Sequence, residues 1–309
     1  MISRCVAIIL TALVLAGVHT ATVSAAVRDP IGSGLWDGAS FNLSSIGGKR
    51  TATTSSTSKP APKANPTAYA ALGDSVAAGS GLPYISGATS TDKRCGRSSA
   101  AYPNQVAAAT GKTLVFAACS GARAGDLVTR QGIRAPMAPQ LRKAFANGTP
   151  GLITITAGAN DIHWKTYLQK CYASKCATRT DNLITDAYLK TLEYKLRYIL
   201  YEINYRSGGQ PPKVILTGYY NPVSTACSIT EPRFTLAELQ WLNGRFGAIN
   251  KVIQSVSAQY SFATYVPIDF TGHDVCSADP WVQGLKDTAP IHPTTKGQQI
   301  ISRQILNAL

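Results

Sequence analysis

The sequence predicts an α/β protein of three layers, α/β/α, with a central, mainly parallel five-stranded sheet. Five short apolar runs of β type occur along the chain, at 67–72, 113–118, 151–157, 213–218 and 262–268. Helical patterns lie between these runs, and strands that alternate with helices are typical of a parallel sheet with right-handed crossovers. Because no second linker-like stretch interrupts 67–309, we expect this region to be one domain.

The helical patterns rest on apolar spacing and on capping signals. In 189–203, apolar residues recur every three or four positions, and a cluster of glycines and prolines follows. In 235–256, Thr235 and Glu238 have the spacing of a capping box. The apolar stripe of this second helix consists of Leu239, Leu242, Phe246, Ile249, Ile253 and Val256.

The N-terminal segment predicts export. Arg4 is followed by an apolar stretch from Cys5 to Val18, and small residues up to Ala25 suit cleavage of a signal peptide there. The apolar stretch is too short to span a membrane, which takes about 20 residues. Residues 26–66 are rich in Ser, Thr, Pro and Lys, a composition typical of a flexible linker. The mature protein is therefore expected to be secreted and extracellular.

Export determines how the cysteines are interpreted. Besides Cys5, the chain has six: Cys95, Cys119, Cys171, Cys176, Cys227 and Cys276. An even number in an oxidising compartment favours disulfides, although the sequence alone allows many connectivities. A zinc site is disfavoured, because no C-x-x-C occurs and no two histidines have ligand spacing. Pairing of near neighbours predicts Cys95–Cys119, Cys171–Cys176 and Cys227–Cys276.

The charge of the chain argues against nucleic acid as a partner. The formal net charge is +14, but only 15% of residues are charged and no block of five Lys or Arg occurs. A nucleic-acid binder would cluster its basic residues. A dispersed positive charge indicates solubility and attraction to an anionic membrane or cell-wall surface.

The stretch Tyr69–Gly81 (YAALGDSVAAGSG) organises the candidate site. An apolar run ends at Gly73, and Asp74 and Ser75 follow it. A serine delivered to the edge of a sheet can be a nucleophile, although most such triplets are plain turns. In parallel α/β folds the site lies beyond the carboxyl ends of the strands. The partners of Ser75 should therefore follow other strands directly.

Candidate partners occur at those positions. Gly121 follows the second apolar run and Asn160 follows the third. His292, with Pro293 after it, precedes a final predicted helix that Thr295 and Gln298 could cap. The other two histidines of the mature chain, His163 and His273, are interpreted as structural or peripheral.

These residues resemble a known family. Gly73-Asp74-Ser75, the Gly121 block, GAND at 158–161 and His292-Pro293 are similar to the four blocks of the SGNH (GDSL-type) hydrolases. The finer pattern resembles secreted actinobacterial esterases and lipases, through AYP at 101–103, ACSGA at 118–122, Gly272-His273 and HPTTKGQ at 292–298. The resemblance implies a flavodoxin-like SGNH hydrolase fold and an esterase or lipase activity on acyl esters. It implies no cofactor and no metal, and we expect a monomer.

The resemblance also gives each residue a role. Ser75 would be the nucleophile, and His292 the general base that takes its proton. The backbone N–H groups of Ser75 and Gly121 and the Asn160 amide would form the oxyanion hole, in which each donor is typically worth about 3 kcal/mol. Asp74 is expected to hold the loop by hydrogen bonds. The structural alternatives are a turn-capping role for Asn160, a tight turn at Gly121 and a surface position for His292.

One position departs from the family pattern. Many members carry an aspartate three residues before the histidine, where this chain has Ala289. We therefore expect a dyad of Ser75 and His292, with the imidazole held by a main-chain carbonyl around Ala289 or Pro290. Asp287 is the alternative partner of the imidazole.

Substrate preference is the least specified property. The segment from Trp164 to Thr180 carries Cys171 and Cys176 and is predicted to be a loop over the site. Its Trp164 and Tyr167 are candidate walls for an acyl chain. Lipid or short-chain esters are favoured over acetylated carbohydrate, and this preference rests on the resemblance. The rival interpretations are a catalytically silent surface-binding module of the same fold and a structural wall protein.

Overall fold

The computed structural model describes residues 63–132, 137–231 and 233–309. The predicted signal peptide (1–25) and the expected linker up to residue 62 lie outside the described residues. The five strands of the described part are Ala64–Gly73 (β1), Thr113–Phe116 (β2), Thr149–Thr156 (β3), Lys213–Thr217 (β4) and Ala263–Val266 (β5). They form one sheet in the order β2-β1-β3-β4-β5, and every neighbouring pair is parallel.

The strands agree with the five predicted runs and differ from them at their ends. β1 starts at Ala64 rather than at 67, so it takes in the last residues of the expected linker. β2 ends at Phe116, before the predicted limit. The last six residues of β1 are buried. This follows from its position between β2 and β3, because an inner parallel strand is covered on both faces.

Nine α-helices occur in the described part: Ser75–Ala78 (α1), Ser90–Cys95 (α2), Tyr102–Thr110 (α3), Gln140–Ala144 (α4), Trp164–Ala173 (α5), Arg179–Arg206 (α6), Cys227–Thr230 (α7), Leu236–Ser257 (α8) and Thr295–Leu306 (α9). The capping box of Thr235 and Glu238 at α8 is confirmed, and all six predicted stripe residues of this helix are buried. α6 is much longer than the predicted 189–203 and begins with a second capping box, between Thr178 and Asp181.

Two predicted details of the helices are wrong. The cap of α9 is Thr294 rather than Thr295, and the fully buried Gln298 bonds the backbone of α1 and α3 instead of capping α9. The segment from Trp164 to Thr180 is not a loop, because α5 occupies most of it and α6 begins at its end. Trp164 and Tyr167 belong to a helical i, i+3, i+4, i+7 spacing of apolar residues that indicates this helix.

The helices cover both faces of the sheet. α3 packs on α9, and the Tyr102 hydroxyl of α3 lies 3.5 Å from Thr154 Oγ1 and 2.9 Å from Thr156 Oγ1 of β3. Because strand side chains alternate, Ile153 and Ile155 point to the opposite face. There α6 packs on α8, and α8 packs on β4 and β5. The result is the expected three-layer α/β/α arrangement.

Three disulfides join Cys95 to Cys119, Cys171 to Cys176 and Cys227 to Cys276, the same pairs that were predicted. The first ties the end of α2 to the chain beyond β2. The only grouping of possible metal ligands among residues 63–132, 137–231 and 233–309 is Cys227, Asp274 and Cys276, and its two sulfurs are bonded to each other. No helix in this same part of the chain combines the length and the apolar character needed to cross a membrane.

Candidate active site

Ser75 is the first residue of α1 and follows the tight turn that ends β1. Gly73 ends the strand at φ +134°, a conformation that favours glycine, and a Cβ there would overlap the Thr156 carbonyl. The Gln140 side chain accepts from the Gly73 N–H at 2.7 Å and donates to the Gly73 carbonyl at 2.9 Å. Gln140 thus holds both backbone polar groups of Gly73 and fixes the turn. Ser75 consequently lies at the carboxyl end of the sheet.

Asp74 holds this turn from within the protein. It is buried, and its Oδ1 accepts from the Val76 N–H at 2.9 Å, which caps α1. The hydroxyl of Tyr219 donates to Oδ2 at 2.6 Å. Burial raises the pKa of Asp74 to about 7, against the lowering effect of these hydrogen bonds. The carboxyl group thus supports the loop, as the sequence predicts.

His292 lies within hydrogen-bond distance of Ser75. Nε2 of His292 is 2.7 Å from Ser75 Oγ, and Nδ1 is 3.1 Å from the Pro290 carbonyl oxygen. A neutral ring whose Nδ1–H donates to Pro290 leaves Nε2 free to accept from the serine hydroxyl. Asp287 is exposed and accepts instead from the Gly284 N–H at 2.7 Å. The structure therefore brings together the expected serine, histidine and carbonyl, and it places Asp287 on another partner.

The environment of His292 favours the neutral form of its ring. Burial lowers the pKa of His292 from 6.5, and the positive charge of Lys165 adds to this effect. The hydrogen bonds with the backbone at Pro290 and Ala289 act in the opposite direction. Because only a neutral imidazole can accept a proton, this shift suits a general base near neutral pH.

The segment that carries His292 is held under strain. Ile291 is buried at φ +57°, an outlier for a β-branched residue. Its N–H donates to the Gln283 carbonyl at 2.8 Å, and its carbonyl accepts from the Tyr220 hydroxyl at 2.8 Å. The Gln283 side chain donates to the Ser80 carbonyl at 2.9 Å. These bonds tie the segment, through Gln283, to the loop that follows α1 and, through Tyr220, to the loop that follows β4.

Gly121 and Asn160, the other residues of the expected oxyanion hole, lie in the loops after β2 and β3, and neither of them lines the pocket of Ser75. Gly121 is exposed at φ +77° beyond β2, and the segment is anchored by the Cys119 N–H, which donates to the Gly73 carbonyl at 3.0 Å. Within the part of the chain that the structure describes, the N–H groups of Ser75 and Gly121 meet no acceptor. One amide hydrogen of Asn160 is used, because Nδ2 lies 2.9 Å from the Ala122 carbonyl. The other remains available, since an amide nitrogen has two.

Asp161, the last residue of the GAND block, joins these two loops. Its buried carboxylate accepts from the Ala124 N–H at 2.7 Å and from Lys195 Nζ at 2.9 Å. Asp161 therefore ties the loop after β3 to the loop after β2 and to α6. Because Gly121 and Asn160 lie in those two loops, Asp161 helps to fix the positions of both residues.

Aromatic residues form the walls of the cleft. Ser75 and His292 line a pocket with about 310 Å³ of free space, part of it open to solvent. Trp164 and Phe246 line it too, and the Trp164 ring centroid is 6.1 Å from that of His292. Both also line an adjoining apolar pocket of about 320 Å³, which has Tyr167 in its wall. Of the two residues expected to contact an acyl chain, Trp164 lines the pocket of the dyad and Tyr167 lines the adjoining one.

The two remaining histidines lie outside the reacting pair. His273 stacks on Trp281 with ring centroids 3.6 Å apart. His163 precedes α5 at φ +55°, and its Nε2 is 3.5 Å from Arg123 Nη2. Neither histidine lines the pocket of Ser75.

Comparison with known proteins identifies the family. Residues 71–300 match the GDSL-like Lipase/Acylhydrolase family. The chain belongs to this family. A lipase of Streptomyces rimosus is 30% identical over 260 residues, which are 80% of this chain and 88% of the relative. Lipase 1 of Streptomyces coelicolor is 32% identical over 241 residues, which are 74% and 82% of the two chains.

Solved structures agree with this assignment. The crystal structure of an extracellular lipase from Streptomyces rimosus has a TM-score of 0.64 and 27% identity, over 78% of this chain and 99% of the other. That of phospholipase A1 from Streptomyces albidoflavus has the same TM-score and identity, over 78% and 98%. The resemblance to SGNH hydrolases is confirmed, and this GDSL-like protein is a carboxylic ester hydrolase.

Sequence reasoning missed several polar residues around the site of this GDSL-like hydrolase. Tyr219 and Tyr220 follow β4 directly, so the rule that located Gly121 and Asn160 could have found them. Gln283 carries no such signal, because it lies in an irregular segment and its partners are distant along the chain.

Proposed function

We propose that the protein is a secreted esterase or lipase that acts through an acyl-enzyme on Ser75, with His292 as general base. The observation that carries the proposal is the 2.7 Å contact between Ser75 Oγ and His292 Nε2, on a ring whose Nδ1 is 3.1 Å from the Pro290 carbonyl. A serine hydroxyl becomes a good nucleophile only when an adjacent base takes its proton. Ser75 is buried and His292 is half-buried, which limits competition by water.

The reaction proceeds in two halves. Ser75 Oγ attacks the ester carbonyl carbon while its proton moves to His292 Nε2, and the carbonyl oxygen becomes an oxyanion. The C–O bond to the alcohol then breaks, and His292 returns the proton to the leaving oxygen. In the second half, water gives a proton to His292 and attacks the acyl-enzyme, and the acid leaves as Ser75 Oγ recovers its proton.

The oxyanion of this reaction needs hydrogen-bond donors around it. We assign this role to the N–H groups of Ser75 and Gly121 and to the free amide hydrogen of Asn160. The support is that the two N–H groups have no acceptor among the described residues and that Asn160 is held by Ala122. Preorganised donors of this kind stabilise the transition state more than the substrate.

The acyl chain of the substrate is assigned to the apolar space next to the dyad. Trp164 and Phe246 line both pockets, and the second pocket has Tyr167 and Leu168 in its wall. Such walls suit the hydrocarbon part of a lipid or short-chain ester. Two relatives of similar fold are an extracellular lipase and a phospholipase A1.

The same proposal includes secretion of the enzyme and its attraction to an anionic membrane or cell-wall surface. Three disulfides suit an oxidising compartment, and a relative is an extracellular lipase. A net charge of +14 favours approach to an anionic membrane or cell-wall surface. We propose that the enzyme works as a monomer.

The decisive experiment is turnover of p-nitrophenyl esters of increasing acyl length. Residues 27–309 would be expressed with disulfides formed and compared with Ser75→Ala. Ser80→Ala is the matched control, because this nearby hydroxyl is buried and has no partner within the described residues. We expect the first substitution to abolish turnover and the second to preserve it. Activity that survives in Ser75→Ala would refute the mechanism, and a folded protein inactive on every ester would favour the silent surface-binding module.

A further inference from the structure

Resting on the proposed function, we infer that Tyr219 is a positioning residue for the oxyanion hole. Its buried hydroxyl connects the residue before Ser75 to the residue before Asn160. It donates to Asp74 Oδ2 at 2.6 Å and accepts from the Ala159 N–H at 3.2 Å. Two loops that follow different strands are thus joined through a single oxygen atom.

The hydroxyl bears on two of the three donors of the proposed hole, the Ser75 N–H and the Asn160 amide. Asp74 caps α1 by accepting from the Val76 N–H, so its carboxylate orients the first turn of α1, where the Ser75 N–H lies. Ala159 directly precedes Asn160, whose side chain supplies the other donor. A shift of either loop would change the angle between the donors and the developing oxyanion. Transition-state stabilisation is sensitive to such displacements.

The backbone of Tyr219 is itself fixed by α8. Asn250 accepts from the Tyr219 N–H at 2.7 Å and donates to the Tyr219 carbonyl at 2.7 Å. The preceding residue, Gly218, gives room for this contact, since a Cβ there would lie 2.6 Å from the Tyr265 hydroxyl and 3.0 Å from Asn250 Oδ1. The position of the Tyr219 hydroxyl therefore depends on a backbone that is bonded to the long helix α8.

Tyr219 also lines the pocket of Ser75, yet its hydroxyl is already used by two partners. The Tyr219 hydroxyl therefore has no hydrogen left to donate to the oxyanion, which must be stabilised by other donors. The hydroxyl acts on the reaction through Asp74 and Ala159. This separates Tyr219 from Ser75, Gly121 and Asn160, which would touch the oxyanion.

The test compares Tyr219→Phe with Tyr69→Phe. Both tyrosines are buried, and the control loses a hydroxyl that lies 2.7 Å from Thr154 Oγ1 in the sheet. We expect kcat for a p-nitrophenyl ester to fall roughly 10-fold or more in Tyr219→Phe, with KM changed less than about threefold, because the loss is confined to the transition state. Tyr69→Phe should lose thermal stability to a similar extent and keep its kcat.

A tetrahedral probe separates positioning from a general loss of structure. A p-nitrophenyl alkylphosphonate puts its phosphoryl oxygen in the oxyanion hole when it reacts with the serine. Its rate of reaction with Tyr219→Phe should fall by the same factor as kcat. The amount of p-nitrophenol released gives the number of reactive serines, and dividing both rates by this number corrects them for any unfolded protein. An unchanged kcat, or an effect on KM alone, would overturn the inference.

Asn250→Asp provides a second, independent variant. The carboxylate keeps the acceptor for the Tyr219 N–H but faces the Tyr219 carbonyl with an acceptor instead of a donor. We expect a smaller fall in kcat and no further loss when it is combined with Tyr219→Phe, because both act through the same hydroxyl. Additive losses would contradict the inference that Asn250 acts through the Tyr219 hydroxyl. If the wild type and Tyr69→Phe are both inactive, the proposed function fails, whereas an active wild type with unaffected Tyr219→Phe rejects only this inference.

Discussion

The two reacting groups are held by different kinds of structure. Ser75 begins a helix just after a strand, at a turn fixed by Gly73, Gln140 and the cap from Asp74. His292 stands in an irregular segment fixed by bonds to distant parts of the chain. The nucleophile is therefore positioned by regular elements and the base by tertiary contacts.

The difference shows in the backbone. Gly73 adopts its positive φ at little cost, because glycine has no Cβ. Ile291 adopts φ +57° beside His292, and such strain costs about 1–3 kcal/mol. It persists because Gln283 and Tyr220 hold both polar groups of the Ile291 backbone. The segment around Ile291 and His292, called the base segment below, should therefore be more sensitive than the Ser75 turn to substitutions made elsewhere in the chain.

Removal of the base should have the largest effect. We expect His292→Ala to lower kcat by about 10⁴-fold or more, and the double variant with Ser75→Ala to lose no more than the larger single loss, because the two residues act as a unit. His273→Ala is the control, since this ring stacks on Trp281 away from the pocket. Steady-state kinetics on proteins of equal disulfide content would check this. Additive losses would show that serine and histidine act separately.

The pH dependence should locate the base. Burial lowers the pKa of His292 from 6.5, and a protonated ring cannot accept the serine proton. Activity is therefore present above the pKa of the folded enzyme and lost as pH falls through it, about tenfold per pH unit. We expect the acid limb of kcat/KM to lie below pH 6.5. A limb centred near pH 7 would point instead to Asp74, whose pKa burial raises to about 7.

Loosening the base segment should have a smaller effect. Tyr220→Phe removes the hydroxyl that donates to the Ile291 carbonyl, while the ring can keep its stacking on Phe270, with centroids 4.4 Å apart. We expect kcat to fall severalfold, because the orientation of His292 is less fixed. Tyr69→Phe again controls for the loss of a buried hydroxyl. Unchanged kcat in Tyr220→Phe would mean that Pro290 and Gln283 hold the segment without it.

The same contrast explains what the sequence could predict. The Ser75 turn and α8 follow from local patterns, a strand that ends at glycine and a capping box before an apolar stripe. The contacts of the base segment do not follow from local patterns. The Gln283 side chain bonds the Ser80 carbonyl, 203 residues away, and the Tyr220 hydroxyl bonds the Ile291 carbonyl, 71 residues away. α5 is a different case: its apolar spacing is visible in the sequence, although the segment was expected to be a loop.

The weakest expected effect tests what holds the base. Asp287→Asn keeps an oxygen that can accept from the Gly284 N–H, and Asp287 has no contact with His292 in the described residues. We expect kcat/KM within about twofold of the wild type, as for the exposed control Asp279→Asn. A loss near 10⁴-fold, typical of a triad aspartate, would show that the carboxylate reaches the ring during the reaction. A small effect would leave the backbone carbonyl of Pro290 as the partner of Nδ1, so that no acidic side chain is needed to hold this base.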